Sequence, residues 1–115
     1  MLYGYTGDAS QGWWNELLNG NNDTLKMKKY GEFLSKRYQN TNNIMWVLGG
    51  DNNCSGELFP YVNNLIKGMK EYDKNHLWTG HFDMNRDSVW STDNKSFSKL
   101  MDVGGEYMWT ESCSF

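Results

Sequence analysis

The chain has 115 residues, 11 basic and 14 acidic side chains and a formal net charge of −3. That length is about one domain, and charges of both signs so evenly interspersed, with no Lys/Arg run, argue against nucleic acid as a partner. No apolar stretch reaches the length of a membrane span, so no membrane association is expected.

Residues 2–6, Leu-Tyr-Gly-Tyr-Thr, read as a short strand. A polar loop over 7–22 carries Asp8, Trp13, Trp14 and Glu16. Asp23 or Thr24 then caps a helix by accepting from free backbone N–H groups. Met27, Tyr30, Leu34 and Tyr38 give that helix one apolar face at a 3.6-residue period. Asn40 to Asn43 end it, and Ile44 to Leu48 follow as five consecutive apolar residues. A short apolar run between turn formers reads as a strand buried on both faces, the kind found in parallel sheets. Gly49-Gly50-Asp51 delivers a carboxylate at its C-terminal end, where α/β sheets and barrels keep their chemistry.

The loop 52–57 leads into a second helix with Leu58, Tyr61, Leu65, Ile66, Met69 and Tyr72 as its stripe. Pro60 fits the first helical turn, where its missing N–H is no loss. Residues 77–82 read as a third strand ending near His81. A long loop from Asp83 to about Lys95 precedes a weak helix at Phe97–Leu100. A fourth strand with a glycine break is expected over 101–109. Strands alternating with helices imply βαβ units and a parallel sheet, an α/β fold.

Four such strands with two good crossover helices would leave long apolar edges, which natural proteins avoid. An internal fragment of a larger α/β fold, spanning 1–115 as one piece of a single domain, is the economical reading. An eight-stranded barrel needs about 250 residues. The rival is an intact small doubly wound domain binding a nucleotide, but no Gly-rich phosphate loop of either common pattern is present.

Composition leaves some matters open. The 6 Trp and 7 Tyr suit a ring-rich core or a cleft that stacks on sugars. Cys54 and Cys113 are too few for a disulfide framework and read as free thiols, with a long-range bridge still open. His76 and His81, without a cysteine cluster, supply a zinc site poorly; no metal or cofactor is expected. No signal-peptide pattern opens at Met1. That leaves the compartment undecided, a secreted or periplasmic parent included.

The run Tyr30-Gly31-Glu32-Phe33-Leu34-Ser35-Lys36-Arg37-Tyr38, followed by Asn43-Ile44-Met45-Trp46-Val47-Leu48-Gly49-Gly50-Asp51, resembles the apiosidase-like catalytic domain, a glycoside hydrolase family. Leu2-Tyr3-Gly4-Tyr5, Gly12-Trp13 and Leu77-Trp78-Thr79-Gly80-His81 look like the same family. The resemblance implies a (β/α)8 TIM barrel cleaving glycosidic bonds of complex plant or bacterial polysaccharides. It makes the four expected strands the third to sixth of the barrel. It puts the acid/base carboxylate, at the end of the fourth strand, on Asp51. The nucleophile belongs after a seventh strand, beyond this chain. An isolated piece would then be inactive, and its partners would be an oligosaccharide or polysaccharide and the missing barrel half or a second copy.

Glycoside hydrolysis needs two carboxyl groups, one to protonate the departing oxygen and one to attack the anomeric carbon or activate water. Asp51 fits the first role; an Asx turn steadying the next loop is its plain alternative. Asn52 could contact sugar hydroxyls or orient Asp51, whereas Asn53 reads as turn polarity. His81, on the same rim, could bond a sugar hydroxyl or the acid, or be satisfied by backbone. Asp8 is a further substrate contact, and Trp13 and Trp90 are stacking candidates, with Trp14 packed instead. Glu111 reads as a substrate contact rather than as the second carboxylate. Glu106 has no firmer role, Asp102 none, and Arg37 reads as structural. The alternative to an enzyme fragment is a non-catalytic carbohydrate-binding or assembly module built on the Trp-rich loops.

Overall fold

A computed structural model describes residues 13–18, 20–50, 52–82 and 90–105, without the side chain of Trp14. The expected first strand at 2–6, together with Asp8, Asp51, Glu106, Glu111 and Cys113, lies outside the described residues. The elements run α1 (Trp14–Leu18), α2 (Thr24–Tyr38), β1 (Met45–Gly49), α3 (Phe59–Tyr72) and β2 (Leu77–His81). Three 3-10 turns, Gly56–Leu58, Ser91–Asp93 and Ser98–Leu100, stand between and after them.

Helix α2 starts where its cap requires. Asp23 holds extended backbone, and its carboxylate accepts from the Lys26 N–H at 2.7 Å. Lys36 and Arg37 close the last turn, where cations meet the helix dipole favourably. The expected face of Met27, Tyr30, Leu34 and Tyr38 does turn to the core, but its most buried line is shifted. Met27, Gly31 and Ser35 are buried, while Tyr30, Leu34 and Tyr38 flank the core half-buried. The reason is the partner. Helix α3 presents Gly68 between Leu65 and Met69, and the two helix backbones meet there. A Cβ on Gly31 would overlap the Leu65 carbonyl oxygen, and one on Gly68 would overlap that of Lys28. Ser35, fully buried, donates to the Gly31 carbonyl at 2.9 Å. On α3 the expected Leu65, Ile66 and Met69 are buried, but Tyr72 is 37% exposed and carries the Lys36 ammonium 4.3 Å above its ring.

Strands β1 and β2 pair in parallel, from Met45 opposite Leu77 to Gly49 opposite His81, so β1, α3 and β2 form one βαβ unit. Side chains alternate between faces. Trp46, Leu48 and Trp78 are buried, and Trp46 meets the Tyr38 ring edge-on at 6.2 Å on the helix side. The opposite face carries Met45 and Leu77, 45% and 51% exposed. The expectation of a strand covered on both sides holds in part: further along this second face Val47 is half-buried and Thr79 and Gly49 are buried, and the exposure is confined to the strand starts. The helices cover one face, and among the described residues nothing closes over the other at these two positions.

Three further expectations change. The polar loop over 7–22 contains α1, which buries Leu17 and docks on the Gly56–Leu58 turn; five residues are too few to show a period. The Phe97–Leu100 helix is the 3-10 turn Ser98–Leu100. Residues 101–105 are not a strand. They bend along the edge of β2 away from β1, where the N–H groups of Asp102 and Val103 both donate to the Trp78 carbonyl at 2.9 and 3.1 Å. Asp102, which showed no role in the sequence, accepts the Trp78 N–H on its carboxylate at 2.9 Å. A side chain takes the place of a backbone carbonyl, and residues 101–105 form no regular ladder with β2; residues 106–109 of the expected strand lie outside the described residues. No helix among the described residues is long and apolar enough to cross a membrane.

Candidate active site at the strand ends

The C-terminal ends of β1 and β2 are locked together by backbone. Gly50 donates its N–H to the His81 carbonyl at 2.8 Å. Gly49 and Gly50 take φ of +97° and +144°, values that favour glycine. A Cβ on Gly49 would also collide with the His81 carbonyl oxygen. The pair therefore ends the strand and turns the chain over β2, and Asp51 is the next residue.

The following loop is held from within and from outside. The Asn52 side-chain oxygen accepts the Cys54 N–H at 2.7 Å, an Asx turn. Cys54 sits at φ +54° with its side chain fully buried. The Asn53 carbonyl accepts from the side-chain amide of Asn94 at 3.1 Å. Asn94, 7% exposed, also accepts the N–H groups of Ser96 and Phe97 on its oxygen at 3.0 and 3.1 Å. Below this bracket three rings from three segments stack. Phe59 lies 5.6 Å from Phe97, and Phe97 lies 6.2 Å from Phe82, centroid to centroid.

His81 ends β2 opposite Gly49 and is half-buried on this rim. Trp13 begins the turn into α1, accepting the Leu17 N–H on its carbonyl, and is 43% exposed. Trp90 is 48% exposed, beside Gly104 and next to Ser91, whose N–H donates to the Gly105 carbonyl. Of the sequence candidates, Asn52 and His81 belong to the strand-end region. Trp13 and Trp90 stand exposed on segments packed around it. Asp8, Asp51 and Glu111 lie outside the described residues. Arg37 is remote, its guanidinium donating to the Tyr38 hydroxyl at 3.2 Å. The Asn94 bond to Asn53 and the phenylalanine stack carried no sequence signal, because their partners lie 15 to 41 residues apart.

A second polar cluster lies at the opposite, N-terminal ends of the strands. Asp73, 4% exposed, accepts from the Trp46 indole at 2.7 Å and faces His76 Nδ1 at 2.5 Å. His76 Nε2 faces the Thr41 carbonyl at 2.6 Å. Two acceptors around one imidazole are both satisfied only by the doubly protonated ring. Hydrogen bonding to Asp73 accordingly raises the His76 pKa against the cost of burial. Burial pushes the Asp73 carboxyl up, but the bonds from His76, Trp46 and Asn75 together outweigh it and hold the pKa below its ordinary value. This cluster ties helix ends to strand starts, on the face where such groups serve stability.

The model of the apiosidase-like catalytic domain matches residues 1–105. No curated protein matches. Among solved structures, one described as a glycoside hydrolase is 28% identical with a TM-score of 0.62 and covers 80% of this chain. A glycoside hydrolase family 5 protein from Bacteroides vulgatus ATCC 8482 is 26% identical with a TM-score of 0.61 and covers 76%. The chain spans only 20% and 18% of those two chains. Both of these solved structures are glycoside hydrolases, and the match over residues 1–105 shows that the chain belongs to the apiosidase-like catalytic domain family.

Proposed function

We propose that the chain is a contiguous part of a glycoside hydrolase (β/α)8 barrel acting on complex polysaccharides, with Asp51 as its general acid/base. One observation carries this reading. Gly49 and Gly50 end a parallel strand under a backbone lock to His81, and that end of the strand is where such folds keep their chemistry. The Asp51 carboxyl donates its proton to the glycosidic oxygen as the bond to the anomeric carbon breaks. A second carboxylate, from outside the described residues, attacks that carbon or activates water. In the second case the water's proton goes to that carboxylate; in the first, Asp51 takes it back when water releases the sugar. His81 and Asn52 line the same rim as contacts to sugar hydroxyls, with Asp8 and Glu111 as further contacts and Trp13 and Trp90 as stacking surfaces.

The test uses the full reading frame that contains this chain, assayed on a panel of plant-wall polysaccharides. Asp51→Asn is expected to lower the rate by about 10²–10⁴-fold, the usual worth of a general acid. Wild-type rates in that variant would remove Asp51 from the mechanism. A second reading, a non-catalytic carbohydrate-binding or assembly module, draws on the exposed Met45–Leu77 face and on Trp13 and Trp90. A full reading frame that binds oligosaccharides as a stable dimer and never cleaves them would favour it.

A further inference from the structure

We infer that Asn94 is a positioning residue for the acid/base loop, a role that rests on the assignment of Asp51 above. The loop after β1 and the segment after β2 are distant in sequence, and the side chain of Asn94 joins them. Asn94 uses both ends of its amide. Its oxygen takes the Ser96 and Phe97 N–H groups and so closes its own turn, and its nitrogen reaches the Asn53 carbonyl, two residues beyond Asp51.

The turn that carries Asn94 is itself anchored to the sheet. Ser91 donates its N–H to the Gly105 carbonyl at 2.8 Å and its hydroxyl to the Val103 carbonyl at 3.1 Å. Residues 102 and 103 in turn bond the Trp78 carbonyl on the outer edge of β2. Phe97, stacked between Phe59 and Phe82, fixes the far end of the same turn. The edge of β2 is thereby connected through Ser91 and Asn94 to the backbone beside Asp51. On the other flank Gly50 is bonded to His81, so the described backbone before and after the acid's position is tied to the region of β2. A buried amide spending its donor on a carbonyl in another loop sets where that loop sits. Displacement of a reacting group by about 1 Å can cost about 10²-fold in rate.

The test again uses the full reading frame, on the plant-wall polysaccharide it hydrolyses fastest. Asn94→Ser keeps an acceptor for the turn, as serine does more weakly in such turns, but cannot reach Asn53. It is expected to lower kcat by about 10- to 100-fold, with KM changing far less than kcat, and to lower the thermal midpoint by a few degrees, since a part-buried carbonyl loses its donor. The alkaline limb of kcat/KM, which reports the ionisation of the essential acid, should move, because displacing that acid changes the groups around it. A merely structural residue would leave that limb in place. Asn94→Asp keeps both acceptor positions and loses the donor, and it stands in if the serine variant does not fold. Wild-type kcat and pH profile in folded Asn94→Ser or Asn94→Asp, with Asp51→Asn inactive, would overturn the role of Asn94 and leave the acid standing. A fully active Asp51→Asn would instead remove the acid, and this role with it.

Discussion

At the residue scale the informative side chains fall on two rims. On one, Gly49 was legible because a glycine pair after an apolar run has few other uses. The structure adds that its missing Cβ is what lets the two strand ends close. On the other, His76 was visible only as one of two histidines, since its partners Asp73 and Thr41 come together through the fold. Its linkage to pH follows from direction alone. His76 has a raised native pKa, so its contribution is full below the ordinary value of 6.5 and is lost as pH rises through the native value. Asp73 has a lowered one, so its contribution is present above 3.8 and is lost as pH falls through the native value. The pair therefore stabilises most between those ordinary values. His76→Ala leaves a buried carboxylate without its cation, at a cost of about 3–5 kcal/mol. Urea unfolding of both proteins near the acidic plateau and again at alkaline pH is the measurement. The gap between them should shrink at alkaline pH, and a pH-independent gap would show that the imidazolium is not what holds Asp73.

At the element scale the sequence located both long helices and both described strands to within a residue or two, because 3.6-residue periodicity and an apolar run survive any packing. It misjudged how α2 packs. Counting apolar residues favours Tyr30 and Tyr38, whereas the helix crossing is built on what is small, Gly31 and Ser35 against Gly68. Smallness leaves no mark on a hydrophobic pattern. Gly68→Ala, which an isolated helix would welcome, should here destabilise the fold by about 1–3 kcal/mol through overpacking against the Lys28 carbonyl. A lower urea midpoint with unchanged slope is the expected result, and an unchanged or higher midpoint would mean the helices separate without cost. The segment 101–105 was misread for a related reason, since its backbone bonds to one Trp78 carbonyl and a side-chain carboxylate completes the pairing. Helix α1 gave too short a pattern to be seen.

At the scale of the whole molecule, a parallel βαβ unit was legible from the alternation of elements, and the family from residues 30–38 and 43–51. The exposed starts of the two described strands were not, because an apolar run looks the same whether its ends are covered or open. Met45 and Leu77 at those starts predict that the isolated 115-residue chain associates as its concentration rises, which sedimentation across a dilution series would detect; a monomer throughout would count against an open barrel wall. The proposal places the general acid on Asp51, so the most direct test of the account concerns that residue alone. In the full reading frame, Asp51→Asn should be compared with wild type on two aryl glycosides of the same sugar, one with a poor leaving group and one with a dinitrophenyl group that departs without protonation. Loss of a general acid predicts a collapse of the poor substrate by about 10²–10⁴-fold with the activated one much less affected; equal losses on both, or none on either, would contradict it.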